Sequence, residues 1–385
     1  MAALSSSAAT TNIMLAIVEK NTSSLDFYMP LRNFISINYS EREAQNLEDD
    51  LQTLKQLSSD VERGVAADSP PARRDLLQNY YKALCAVEPR FPISPDKDHV
   101  NTVTFTWFDA FKNKQKASQQ NIQLVHSQIG QSFDRSEIEG RKQASHSFIA
   151  AAGVFAFLRD NVALKASVGN STSVDVSVEC VGMLERLMLA QAQECVYENT
   201  IAKGSSPGVC AKISTQGPSF LKLAAVTAQV GLFYEEALAA LNVAPLNQHF
   251  DKAWIVLVHL KSALFYAEAC YRYSLELHEK EEIGEEISRL KSGMNTLSEA
   301  KKSSPRAMKE NDRVYLMRVP PISSLQPLPT FSMVKPMPMN EVLDASTENL
   351  FSTLVPDGSA KSLSRYAEMV DDIIRMQAEK LQQGS

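Results

Sequence analysis

The chain has 385 residues, long enough for one large domain or two ordinary ones. Its 39 basic and 45 acidic side chains give a formal charge of -6, which excludes a bulk basic surface that holds nucleic acid by its phosphates. Hydrophobic residues at 44%, with only 14 glycines and 17 prolines, exclude general disorder and collagen-like or low-complexity sequence.

The first residues, 1–12, are rich in Ala, Ser and Thr and read as a disordered N-terminus. They lack the basic region of a signal peptide, and Ala2 excludes N-myristoylation. No run approaches 18 consecutive apolar residues, so the expected setting is cytosolic, with any membrane contact peripheral. Residues 13–28 open with a β-rich run. Pro30 then begins a helical pattern, as proline does in a first turn. Over 41–63, Leu47, Leu51, Leu54 and Leu57 share one face of a single amphipathic helix. After the break at Ser69-Pro70-Pro71, a helix carrying Leu76, Leu77, Tyr80, Tyr81 and Leu84 stops before Pro89. Residues 100–108 are β-branched and aromatic, a second strand candidate.

From there the pattern is helical. Ala144, Phe148, Ala151, Phe155 and Leu158 step by four, three, four and three, and Ile283, Ile287, Leu290, Met294 and Leu297 repeat those steps. Such narrow stripes suit helices packed nearly antiparallel. Residues 177–201 and 248–282 are long amphipathic helices as well. The seven prolines of 303–340 make that stretch an extended arm, expected along the helical body. Helix returns at 340–354 and again from Ser359, and 381–385 forms a tail.

The motifs of known chemistry are missing. There is no Walker loop, GxGxxG, HExxH or GxSxG. Lys203-Gly-Ser-Ser-Pro-Gly208 reads as a helix cap, with Ser205 or Ser206 at the N-cap and Pro207 at N1. Cys180 and Arg186 match the spacing of cysteine phosphatases, but the residues between them are helical and apolar. The five cysteines, Cys85, Cys180, Cys195, Cys210 and Cys270, form no CxxC and read as buried free thiols. The carboxylates Glu285/Glu286 and Asp371/Asp372 are adjacent on helices and diverge by about 100°. The reading is therefore of a non-enzymatic protein, with no metal, cofactor or small-molecule substrate.

Six strings in order carry a family resemblance: Glu88-Pro-Arg-Phe-Pro92, Phe105-Thr-Trp-Phe-Asp-Ala-Phe111, Met188-Leu-Ala-Gln-Ala-Gln-Glu194, Gly284-Glu-Glu-Ile-Ser-Arg-Leu290, Asn311-Asp-x-x-Tyr315 with Val319-Pro320, and Leu350-Phe-x-x-Leu-Val-Pro356. Together they resemble the Bro-one domain of the ALIX family, in its plant form, over residues 13–380. The resemblance implies a mostly α fold: a boomerang-shaped single domain with a TPR-like core and a small N-terminal β-sheet. It implies an ESCRT-associated adaptor that works in multivesicular-body sorting of membrane cargo to the vacuole or lysosome. Such a protein is cytoplasmic, is recruited to endosomal membranes, and binds the C-terminal amphipathic helix of an ESCRT-III subunit, helix in groove.

Carried over by position, that groove comprises Val196, then Val209 and Ile213 four apart on one helix face. Lys142 aligns with a basic groove residue, or is a solvated lysine. Tyr315 matches a surface tyrosine that is phosphorylated in animal relatives.

Two departures stand out. After Leu124 roughly a dozen residues of a core helix are absent, and losing even one large core side chain costs ~2–5 kcal/mol. Between Gln216 and Val230, the 13 residues Gly217–Gln229 read as an insertion. Kept helical they would turn the chain by about 220° net, so they are expected to loop out at Gly217-Pro218. Both departures fit an alternative transcript or an imperfect gene model. The coiled-coil arms and Pro-rich tail of longer ALIX relatives are absent from the sequence. The alternatives are a TPR-like scaffold that has lost ESCRT-III binding, or a non-functional splice variant.

Overall fold

The computed structural model describes residues 14–17, 25–66, 68–91, 107–108, 111, 116–117, 128–163, 174–204, 220–302, 322–343, 350–354, 370 and 373–376. It divides into two compact units, one made of residues 22–106 and 344–385, the other of 1–21 and 107–343.

The smaller unit starts with α1 (Tyr28–Asn38), which has Pro30 in its first turn and buries Leu31 and Ile35. The helix expected over 41–63 is two helices, α2 (Glu41–Asn46) and α3 (Glu48–Glu62). The Ser40 side chain accepts from the Glu43 amide to cap α2. Leu47 leaves helical geometry, and Glu48, Asp49 and Asp50 supply a fresh acidic first turn, favourable at a helix N-terminus. The stripe survives the break, with Leu47, Leu51 and Leu54 all buried.

α4 (Pro70–Val87) begins at its prolines and buries Leu77 and Tyr80. Its Arg73 donates to the carbonyls of Val61 at 2.9 Å and Val65 at 3.1 Å, satisfying the end of α3. The turn Leu350–Leu354 fastens to this unit. The Phe351 amide donates to Asp50 at 2.6 Å, the Phe351 ring meets Phe91 edge-on at 5.3 Å, and Arg90 donates to the Leu354 carbonyl at 3.3 Å. Two of the six strings thus pack on each other.

The larger unit is a series of long helices: α5 (Ile138–Leu158), α6 (Val178–Gly204), α7 (Phe220–Leu241), α8 (Lys252–Glu279) and α9 (Ile283–Lys302). Each packs on the next along the chain. All five stripe residues of α5, Ala144 to Leu158, are buried. The stripe of α9 is not. Ser288, Arg289 and Ser292 take its buried face, while Ile283, Ile287, Leu290 and Leu297 are half-buried and Met294 is 66% exposed. Close approach explains this, since Gly293 of α9 lies against Ala267 and Cys270 of α8, where only small side chains fit.

The expectation that the stretch Gly217–Gln229 loops out is overturned for Phe220–Gln229, while residues 217–219 lie outside the described residues. α7 runs unbroken from Phe220 through Gln229 to Leu241. Val226, Val230, Phe233, Ala237 and Leu241 step by four, three, four and four, and all are buried. Residues on both sides of Gln229 therefore share one face, so nothing is turned out of phase. An Ala- and Leu-rich stretch without internal proline has no reason to break.

Strand pairing among the described residues is confined to a two-residue ribbon, Trp107–Phe108 antiparallel to Lys116–Ala117. The rest of the strand candidate at 100–106 lies outside the described residues. Residues 14–17 are extended but join no ladder. Of the helix expected over 340–354, the described residues show the short helix Met339–Val342 and a turn at 350–354, and residues 344–349 lie outside them. Cys180, Cys195 and Cys270 are buried as expected, whereas Cys85 is exposed, on the solvent side of α4.

Candidate functional site

α5 and α6 run antiparallel. Ser145 donates to the Ala192 carbonyl at 3.1 Å, and further along Arg159 pairs with Glu185. Lys142 lies three residues before Ser145, and Val196 four after Ala192. The antiparallel register therefore brings both to the same end of the helix pair. Lys142 is exposed and pairs with Glu139 one turn away at 3.2 Å, an arrangement worth only ~0.3–0.5 kcal/mol. Val196 is half-buried and packs against the main apolar core. Val209, Ile213 and Tyr315 lie outside the described residues, as do Ser205, Ser206, Pro207 and Leu124.

The string Met188–Glu194 on α6 turns out to be a set of clamps. Gln191 is buried and holds the segment 14–17 by both polar atoms of its side-chain amide: its Oε1 accepts from the Leu15 amide, and its Nε2 donates to the Leu15 carbonyl at 3.0 Å. Gln128 and Gln131 complete that grip, donating to the carbonyls of Ile17 and Met14 at 2.9 Å each. Two residues on, Gln193 does the same to a different segment. Its Nε2 donates to the Phe331 carbonyl at 3.1 Å, and its Oε1 accepts from the Met333 amide at 2.9 Å.

The segment that Gln193 grips is part of an extended strap, residues 325–338. The Phe331 amide also donates to the Ala225 carbonyl of α7 at 3.1 Å, and the Met337 amide to Ile149 of α5 at 3.3 Å. Gly153 lets the strap approach. A Cβ there would sit 1.9 Å from the Met337 carbonyl oxygen.

Glu194, fully buried, receives Lys261 of α8 on both carboxylate oxygens at 2.8 Å and the Tyr234 hydroxyl of α7 at 2.6 Å. Three helices are thereby tied at one point. Burial, reinforced by the Glu194 carboxylate, pushes the Tyr234 hydroxyl well above the usual phenol range. Burial likewise pushes the Cys195 thiol up to about 12, so it stays protonated and is no nucleophile. Nearer the end of α6, Arg135 pairs with Glu198 at 3.1 Å, and Tyr197 donates to Glu268 at 2.7 Å.

The phosphatase-like pair does not form a site. Cys180 is buried within α6 rather than in a loop, and Arg186 pairs with Glu236 at 3.1 Å. The sequence reading missed the roles of Gln191, Gln193, Glu194 and Lys261. Two glutamines beside a glutamate on an otherwise apolar stretch were the available signal, because buried polar side chains need partners.

Packed helices, whose buried polar groups hold backbone segments and neighbouring helices, define a mostly α-helical domain. The description "BRO1-like domain" fits residues 14–374, and the chain belongs to that family. It is 62% identical to the Vacuolar-sorting protein BRO1 of Arabidopsis thaliana over 412 aligned positions, covering 98% of this chain and 47% of that protein. It is 28% identical to the ALG-2 interacting protein X of Dictyostelium discoideum, covering 96% and 48%. Among solved structures, it is similar to ALIX in complex with the SIVmac239 PYKEVTEDL late domain. The TM-score is 0.75 at 23% identity, covering 97% of this chain and 56% of that one. The ALIX BRO1 CHMP4C complex gives a TM-score of 0.66 at 23% identity, covering 88% and 99%.

The chain spans about half the length of the curated relatives it matches. The alignment with the Arabidopsis protein runs over 412 positions, more than the 385 residues of this chain. At least 27 positions of the alignment therefore have no residue here.

Proposed function

We propose that the chain is the Bro-one module of an ESCRT-associated adaptor for vacuolar sorting, non-enzymatic and recruited to endosomal membranes from the cytoplasm. The observation that carries this reading is the 62% identity, across nearly the whole chain, to a protein named for vacuolar sorting. The partner is the C-terminal amphipathic helix of an ESCRT-III subunit. An ALIX BRO1 domain of this fold has been solved with CHMP4C, an ESCRT-III subunit. Val196, Val209 and Ile213 would supply the apolar anchors, and Lys142 would meet acidic residues of the ligand helix. Tyr315 is a candidate phosphorylation site.

The test is a thermal melt with and without excess peptide from an ESCRT-III C-terminal helix. Binding to the native state alone stabilises by ~2.7 kcal/mol at a hundredfold excess over Kd. The expected result is a cooperative transition that shifts upward, and a shift lost in Ile213→Asp. A cooperative melt with no shift would favour a second reading, a scaffold that has lost this partner. The residues that the chain lacks relative to its relatives are the observation behind that alternative.

A further inference from the structure

The described histidines differ in what holds them. His249 is buried, His259 is half-buried on α8, and His278 pairs with Glu286 at 3.1 Å. His146 lies exposed on α5 and makes no hydrogen bond or ion pair among the described residues.

The position of His146 sets what it can meet. It follows Lys142 by four residues, so the two side chains stand one above the other on one face of α5. It also adjoins Ser145, whose hydroxyl bonds the Ala192 carbonyl, and so lies on the flank of the α5–α6 contact. Val196 is one turn beyond Ala192 on α6. Ile138, 45% exposed, is one turn before Lys142 and continues the α5 row. Beside Val196, the row therefore offers one apolar side chain, one fixed cation and one titratable group.

Few charges surround that group. On α5 they are Lys142 and Glu139, which already pair with each other at 3.2 Å. α6 meets this turn at Ala192, and its Glu194, two residues on, is buried and bound to Lys261 and Tyr234. The strap brings Lys335, two residues before the Met337 amide that bonds Ile149. The short helix Met339–Val342, whose Val342 packs with Ala150, brings Glu341. None of these carboxylates is bonded to His146, so a carboxylate brought by a partner meets an imidazole that is not already engaged.

We infer that His146 is a pH-sensing contact of the partner groove. With its ring protonated it joins Lys142 in meeting acidic residues of the partner helix, so binding tightens as pH falls. This inference rests on the ESCRT-III reading above. Imidazole is the side chain whose charge ordinarily changes between about pH 5 and 8. On the acid side of that change a second cation stands one turn from Lys142, and on the basic side Lys142 acts alone. Linkage is reciprocal: if the proton strengthens binding, the bound helix holds the proton more tightly, and complex formation takes up part of a proton.

The experiment measures the affinity of the 385-residue protein for a labelled, histidine-free peptide from an ESCRT-III C-terminal helix, by fluorescence anisotropy. The pH runs from about 8 to about 6, a range over which the carboxylates of the peptide stay ionised. Affinity is expected to rise ~2–5-fold on acidification, the size of one exposed ion pair, and the gain should fade in high salt. His146→Gln should hold the high-pH affinity throughout, and His146→Lys the low-pH affinity. An unmoved melting temperature checks that both variants fold. Binding that ignores pH overturns the inference and leaves the partner reading standing, as does a pH dependence that persists in His146→Gln. Absence of binding at every pH, in the parent and in His146→Lys alike, overturns the partner reading and the inference with it.

Discussion

Glu194 is the residue on which the larger unit turns. It is completely buried, and it joins Lys261 of α8 and Tyr234 of α7 to α6. A buried pair of this kind contributes little net stability against an apolar substitute, but removing one partner strands the other charge. Glu194→Ala should therefore cost about 3–5 kcal/mol, measured by urea denaturation. The double replacement Glu194→Leu with Lys261→Met should recover most of that loss. A double variant as unstable as the single one would show that packing at this point, not the stranded ammonium, sets the cost. The Tyr234 hydroxyl loses its acceptor in both variants, so the comparison isolates the lysine.

At the scale of elements, the distinctive device is the pair of glutamine clamps on α6. An extended segment ordinarily satisfies its backbone by pairing with another strand. At residues 14–17 and in the strap, primary amides take that role, with the oxygen accepting and the nitrogen donating to one short stretch of backbone. Gln193→Leu should leave α6 helical while exposing the strap. Hydrogen exchange at the Met333 amide should rise, for a loss of about 1–3 kcal/mol. An unchanged Met333 exchange rate would mean that the bonds from Phe331 to α7 and Met337 to α5 hold the strap alone. The α9 stripe carries a related lesson. Its apolar period matched that of α5, yet α9 buries its serine and arginine face, because Gly293 allows close approach to α8 on that side.

At the scale of the molecule, each compact unit closes on residues far apart in sequence. In the smaller one, Phe351 inserts beside Phe91 while its amide reaches Asp50, 301 residues earlier. Phe351→Ala should remove about 3–5 kcal/mol from this unit. Tyr80, buried in the same unit, can report the loss through near-ultraviolet circular dichroism during a melt. If the tyrosine signal melts at an unchanged temperature, the turn at 350–354 is an ornament on the unit rather than part of its core.

Local order was legible in the sequence because it depends on neighbours a turn away. The α5 stripe, Pro30 and Pro70 in first turns, and the stop before Pro89 follow from spacing and from the chemistry of single residues. The family was legible as well, from six strings in order. Of the candidate site, the sequence placed Val196 and Lys142 on two helices. Only the antiparallel packing of α5 on α6 brought them to one end. The fate of Gly217–Gln229 and the exposure of the α9 stripe were likewise decided by what packs on each face. So was the purpose of the strings themselves. Arg90 and Phe91 lie far along the chain from Phe351 and Leu354 yet touch them, and Gln191 and Gln193 make sense only once the segments they grip are in place. Periodicity tells a helix which face is apolar, but which face is buried depends on partners that arrive from elsewhere in the chain.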